Sequence, residues 1–129
     1  MKLSIVNPKG VIFEGETEYV VVEGNNGQLA ILENHIPIVV PIKEGFVKRI
    51  NNNEEYFYKI ISGLLEHSDN VITVIAQEVG IGATLNDAIL HLENIRKEQK
   101  EKNYARTMDY AKIERDLAKN IKDIKASKL

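Results

Sequence analysis

From residue 2 to residue 76 the apolar positions fall in short runs rich in β-branched and aromatic side chains: KLSIV, GVIFEGE, EYVVVEG, PIVVPI, FVKRI, YFYKIIS and VITVIA. That is strand composition. The clusters NPKG, EGNNG, KEG, NNNEE and HSDN separate the runs and carry turn chemistry. Short strands recurring about every ten residues, with no helix between them, predict an antiparallel β-sandwich or barrel. In VITVIA, Val71, Thr73 and Ile75 alternate with Ile72, Val74 and Ala76. Both faces are mostly apolar, so this strand is expected to be central. Pro8, Pro37 and Pro41 lack an amide proton and are assigned to strand starts, edges or turns.

After residue 84 the period changes. VGIGAT reads as a small-residue connector, and Thr84 or Asn86 is placed to cap a helix. Ala88, Leu92 and Ile95 then recur at helical spacing. Beyond the polar stretch RKEQKEKNYARTMD, Tyr110, Ile113, Leu117, Ile121 and Ile124 do the same. The pattern predicts two helices meeting near Asn103, an antiparallel hairpin whose narrow apolar seams face each other. The expected organisation is therefore an all-β, antiparallel sandwich domain over 1–84 and an α-helical hairpin domain over 85–129. Each large side chain fully buried in the seams contributes ~1.5–3 kcal/mol, much of it offset by ordering entropy. A hairpin held so weakly is expected to open without unfolding the sandwich.

Charge sharpens this division. The 129-residue chain has a net charge of −2, but residues 1–85 carry 6 basic and 11 acidic side chains while residues 86–129 carry 11 and 8. At 100° per residue, Lys112, Arg115, Lys119, Lys122 and Lys125 gather on the face of the second helix opposite its seam, beside a stripe of Asp109, Asp116 and Asp123. Such a face is either a solvated surface with weak ion pairs or a basic strip for an acidic partner, and salt dependence separates the two. A nucleic-acid binder would concentrate more positive charge and add stacking aromatics, so no nucleic-acid partner is expected. No apolar run approaches the roughly 18–20 residues of a membrane span. The opening MKLSIVNPKG is too short for a signal peptide, which favours a non-secreted protein. With no cysteine, disulfides and thiolate metal sites are excluded.

Assembled chemistry is hard to find. His35, His67 and His91 lie far apart in sequence without metal-ligand spacing, and each is expected to be solvent-exposed or locally hydrogen-bonded. There is no phosphate-binding GxxxxGK loop and no GxSxG elbow. VGIGAT lacks the third glycine of a dinucleotide loop, and Glu33 beside His35 has no nucleophile or anion hole. The stretch GNNGQLAILENHIP has a structural reading instead. Gly24 and Gly27 supply the positive φ values of a tight turn. Leu29, Ile31 and Leu32 enter the core, and Asn34 and His35 occupy a partner-facing loop.

The same stretch carries a family resemblance. Gly27-Gln28-Leu29-Ala30-Ile31-Leu32, followed by Asn34-His35-Ile36-Pro37, resembles the G-E-L-G-I-L-P-G-H-x-P-L signature of the epsilon subunit of rotary F-type ATP synthase. LSIVNPKGVIFEGETEYVVV, SGLLE and VITVIAQ resemble, in order, other stretches of that family. Ala30 replaces the usual glycine, Glu33 the usual proline, and Ser62 the first of a usual glycine pair. The resemblance implies a flattened sandwich followed by a two-helix hairpin, without catalytic residues of its own. It implies that the sandwich binds the gamma subunit and rests on the c-ring, through a loop containing Gly27, Gln28, Asn34 and His35. It also implies that basic residues of the second helix, here Lys112, Arg115, Lys119, Lys122 and Lys125, meet the catalytic beta subunits and oppose hydrolysis. The expected location is peripheral, on the cytoplasmic face of the cell membrane, touching the membrane only indirectly. Some members bind ATP through an I-D-x-x-R-A motif. Here the stretch is Leu85-Asn86-Asp87-Ala88-Ile89-Leu90, with isoleucine in place of arginine, so no ATP site and no cofactor are expected. Two competing readings are a small ligand-binding β-barrel with a helical tail, marked by a deep polar pocket at His35 or Glu33, and a generic adaptor with a basic helix.

Overall fold

The computed structural model describes residues 1–102. Seven strands, β1 (Lys2–Asn7), β2 (Gly10–Glu16), β3 (Tyr19–Gly24), β4 (Gly27–Ile31), β5 (Ile38–Asn51), β6 (Glu54–Ser68) and β7 (Val71–Gly82), pair in the order β2-β1-β7-β6-β5-β3-β4. Helix α1 follows, described from 85 to 102. Contacts divide the chain into a compact unit Met1–Glu93, which includes the first turns of α1, and a second unit Asn94–Leu129. The second predicted helix and its basic face, Lys112 to Lys125, lie outside the described residues.

The continuous sheet becomes a sandwich because its three longest strands bend along one line. Pairing lapses at Lys43 in β5, Ser62 in β6 and Gln77 in β7, three residues that stand opposite one another, while the register on either side is unchanged. Ser62 takes a φ of 52°, a left-handed value that breaks the extended run. The inward-facing parity reverses at the same line. β6 buries Tyr58 and Ile60 before it and Leu65 and His67 after it, and β7 buries Ile72, Val74 and Ala76 before it and Val79 after it. One layer is then β2, β1, the start of β7, the end of β6 and the start of β5. The other is the end of β7, the start of β6, the end of β5, β3 and β4. Between them lies a single apolar cluster that includes Leu3, Ile5, Val20, Val22, Ile31, Ile42, Ile60, Leu65, Ile72 and Val74.

Several expectations are corrected here. KEG was expected as a turn and is the bend within β5, so the two runs around it are one strand. GQLAI was not expected as a strand and forms β4, paired to β3 through the turn at Asn25 and Asn26. Of the two glycines flanking that turn only Gly27 has positive φ. VGIG is not a connector but the end of β7. The sheet is antiparallel except for β1 and β7, which are parallel. β7 is central, but its outer face is solvent-exposed at Val71 and Ile75. Its apolar character on both sides therefore reflects a surface feature rather than double burial. The remaining turns follow their residues: Asn52-Asn53 and Asp69-Asn70 both hold paired positive φ values, the geometry of two-residue type I′ hairpins.

Candidate functional site

Three surface features are built by this framework. The first is an apolar stripe across the outer face of the layer containing β1 and β2. Pro41, Leu64, Ile75, Val6 and Val11 stand opposite one another on five successive strands. Residues paired in register share a face, and this face is outward because their neighbours Ile5, Leu65 and Val74 fill the core. Leu64 is 44% exposed, Ile75 58% and Val11 62%. The adjoining row of Glu66, Thr73, Ser4 and Glu14 is polar apart from Val39. A continuous apolar patch with a polar border marks a docking surface.

The second feature is the loop 32–37. Asn34, in a left-handed conformation (φ 65°), donates its backbone N–H to Asn70 Oδ1 at 2.7 Å, and Asn70 Nδ2 donates to Asn34 Oδ1 at 3.1 Å. This reciprocal pair fastens the loop to the β6–β7 turn. His35 Nδ1 lies 2.7 Å from the Ile36 carbonyl oxygen, and the His35 N–H donates to the Leu32 carbonyl at 3.1 Å. The loop therefore presents Ile36 and Leu32 to solvent. The expectation that Leu32 enters the core is overturned: the chain leaves β4 after Ile31, and the next side chain points outward. Asn34, His35, Pro37, Asp69 and Asn70 line a shallow depression here.

The third feature is the β3–β4 hairpin. Gly27 and Gln28 line a groove of about 270 Å³ with Asn25, Asn26, Leu29 and the β5 residues Ile38 to Pro41. The Asn25 N–H donates to the Pro41 carbonyl at 3.2 Å, and Asn25 Oδ1 accepts from the Lys43 N–H at 2.8 Å, tying the hairpin to the bend in β5. The four residues expected to share one loop are thus divided. Gly27 and Gln28 begin β4, and Asn34 and His35 follow its end. A strand of that length separates its ends by ~13–17 Å.

The histidines distribute unexpectedly. His91 is exposed and His35 half-buried, and each ring is hydrogen-bonded to backbone, within what was expected. His67 is 1% exposed, and neither of its ring nitrogens has a partner. Its ring meets His35 edge-on at 5.8 Å, because register places Ile38, at the start of β5, opposite His67. Sequence spacing alone gave no sign of that pairing. Among the described residues no group of three His, Asp or Glu side chains is placed to hold a metal ion. No described helix is long and apolar enough to cross a membrane.

What the geometry assembles is an interaction module: a bent β-sandwich with an apolar stripe, two polar tips and the first turns of a helix seated on β7. Comparison with known proteins gives the family. Residues 1–81 match the ATP synthase delta/epsilon chain β-sandwich domain. The chain is 31% identical over 128 residues to the ATP synthase epsilon chain of Janthinobacterium sp. (strain Marseille), covering 98% of this chain and 91% of that one. It matches the epsilon chain of Herminiimonas arsenicoxydans at the same identity and coverage. The chain belongs to the epsilon chains of the ATP synthase delta/epsilon family, which are non-catalytic subunits of the synthase. Its fold is similar to a chain in the OSCP/F1/c-ring structure of Euglena gracilis mitochondrial ATP synthase, with TM-score 0.57 and 18% identity over 61% of this chain and 51% of that chain. A chain in the central stalk/c-ring structure from Tetrahymena thermophila is also similar, with TM-score 0.51 and 16% identity over 61% of this chain and 64% of that chain.

Proposed function

We propose that this chain is a rotor subunit of the synthase central stalk, which docks its sandwich on the gamma subunit and touches the c-ring with its loops. The observation that carries this reading is the stripe Pro41–Leu64–Ile75–Val6–Val11, an apolar surface crossing five strands of a rigid layer. Gamma is its occupant in this reading. Burying such a row contributes ~25 cal/mol per Å² of apolar area, reduced by the entropy lost on association. Binding gamma and the ring together ties ion-driven rotation to the catalytic head, and the subunit makes or breaks no bond itself. It then sits peripherally on the cytoplasmic side, reaching the membrane only through the ring.

The regulatory part of the reading rests on residues beyond 102. Lys112, Arg115, Lys119, Lys122 and Lys125 are assigned to an acidic surface on the catalytic beta subunits, where they oppose ATP hydrolysis. The Leu85 to Leu90 stretch is assigned no ATP. Ile89, in place of arginine, offers a phosphate neither charge nor a hydrogen bond.

The docking claim is tested by replacing Leu64 and Ile75 together with glutamate, which places two charges in the stripe without touching the core. Gamma binding, measured by calorimetry, is expected to fall at least about a hundredfold while circular dichroism stays unchanged. Undiminished binding by the folded variant removes the stripe from the interface.

A further inference from the structure

The base of α1 is held to the sheet by contacts of two kinds. The first is steric. Gly80 and Gly82 leave bare backbone on the outer face of β7, and a methyl group added at Gly80 would come within 2.1 Å of the Ala88 carbonyl oxygen and 2.8 Å of Leu92 Cβ. Ala88 and Leu92 are accordingly buried. The second contact is polar. β1 pairs with β7 only from Val71 to Ile75, so beyond that point one side of β7 is an open edge. There the Ile81 N–H donates to His91 Nδ1 at 2.9 Å. An imidazole side chain on the helix thus satisfies a main-chain donor of the strand.

We propose that His91 is a pH-sensitive latch, closing the base of α1 onto the β7 edge when its ring is neutral and releasing it when the ring is protonated. The chemistry of the bond dictates this. An imidazole nitrogen accepts a hydrogen bond only through a lone pair, so Nδ1 must be unprotonated, with the ring proton on Nε2. Protonated imidazole has two N–H donors and no acceptor. Ile81 N–H and Nδ1–H would then oppose each other across the same 2.9 Å. The bonded arrangement is incompatible with the charged ring, so acidification that protonates the ring breaks the latch.

Other charged groups around the helix base do not replace it. Asp87 precedes His91 by one helical turn, and its backbone N–H is already bonded to Thr84 Oγ1 at 3.1 Å. On the sheet, Glu78 lies on the same outward face as Gly80, and Lys59, opposite Gly80, is paired with Glu44 at 3.5 Å. Carboxylate and ammonium side chains change charge outside the histidine range. Steric seating of Ala88 and Leu92 remains when the latch opens, so release acts on the edge contact first and on the helix base second. The latch itself is formed only by contacts between the end of β7 and the base of α1 and is independent of the partners proposed above.

The test is hydrogen exchange of the Ile81 amide in the full chain, expressed as a protection factor so that intrinsic exchange cancels, at about pH 8 and about pH 5.5. In the unmodified protein, protection of Ile81 is expected to drop by about tenfold or more at the lower pH, in step with the His91 ring titration followed by NMR. Core amides such as those of Leu65 and Val74 are expected to hold their protection. His91→Asn places a carbonyl oxygen where Nδ1 stood, an acceptor that does not titrate, and is expected to protect Ile81 equally at both values. His91→Leu has no acceptor and is expected to leave Ile81 poorly protected at both. Equal protection of Ile81 at the two pH values in the unmodified chain overturns the latch, as does a pH-dependent drop that persists in His91→Asn.

Discussion

The Arg49 guanidinium sits between two rings, 4.3 Å from the centre of Phe13 on β2 and 4.2 Å from that of Tyr56 on β6. Phe13 belongs to one layer of the sandwich and Tyr56 to the other, so one cation spans the gap at its open side. Arg49→Lys keeps the charge but loses the flat surface that stacks on both rings. It is expected to lower stability by about 1–2 kcal/mol in urea unfolding. Deeper in, burial pushes the Tyr58 phenol up and the nearby Arg49 guanidinium opposes that shift. A phenol raised in the folded state contributes stability that is complete below the ordinary value of about 10 and is lost as pH rises through the folded value. Tyr58→Phe is therefore expected to flatten the alkaline end of the stability profile, read as midpoint against pH. His67 gives the opposite lesson: both ring nitrogens are buried without partners. Replacing an unsatisfied polar group with an apolar one removes a desolvation penalty, so His67→Leu is expected to match or exceed the parent melting temperature. None of these three roles was legible in the sequence. Each depends on which strands cross the gap or pair in register, and local spacing carries no such information.

At the scale of elements, the chain's punctuation was readable and its continuity was not. Asn52-Asn53 and Asp69-Asn70 announce their hairpins because asparagine and aspartate tolerate left-handed backbone. Thr84 announces the start of α1, and its hydroxyl oxygen accepts the Asp87 N–H as a cap. Thr84→Ala is expected to cost about 1 kcal/mol, measured by chemical denaturation, and to increase exchange in the first helical turn. The bend was hidden because Lys43, Ser62 and Gln77 are far apart in sequence and act together only once β5, β6 and β7 are aligned. β4 was hidden because Gly27 and Ala30 dilute its strand character. The apolar stripe of α1 was visible, but its partner was not. Ala88 and Leu92 lie against Gly80. Gly80→Ala is expected to displace the helix base, seen as loss of Ile81 amide protection at every pH.

For the whole molecule, the β-half and its order of motifs were legible, and the family could be read from them before any geometry was known. Gly27, Gln28, Asn34 and His35 were assigned to one loop from their sequence proximity, and their division between the two ends of β4 could not be read because that strand was not expected. A cysteine at Gln28 and a cysteine at Asn34, each cross-linked separately within the assembled synthase, are expected to distinguish which tip meets the c-ring. Capture of c-subunit by neither position removes the ring contact from the proposed function. Deleting residues 103–129, which leaves the described fold intact in sequence, is expected to raise ATP hydrolysis by the assembled head. No rise would restrict the chain to its rotor role.

The bend shared by β5, β6 and β7 also has a mechanical consequence. In an ordinary sandwich the two layers are joined mainly by side-chain packing, and a twisting load can make one slide over the other. Here three backbones run from layer to layer as unbroken covalent chains. Force entering at Ile75 reaches Val79 along the same strand, and shear between the layers must stretch the strands themselves.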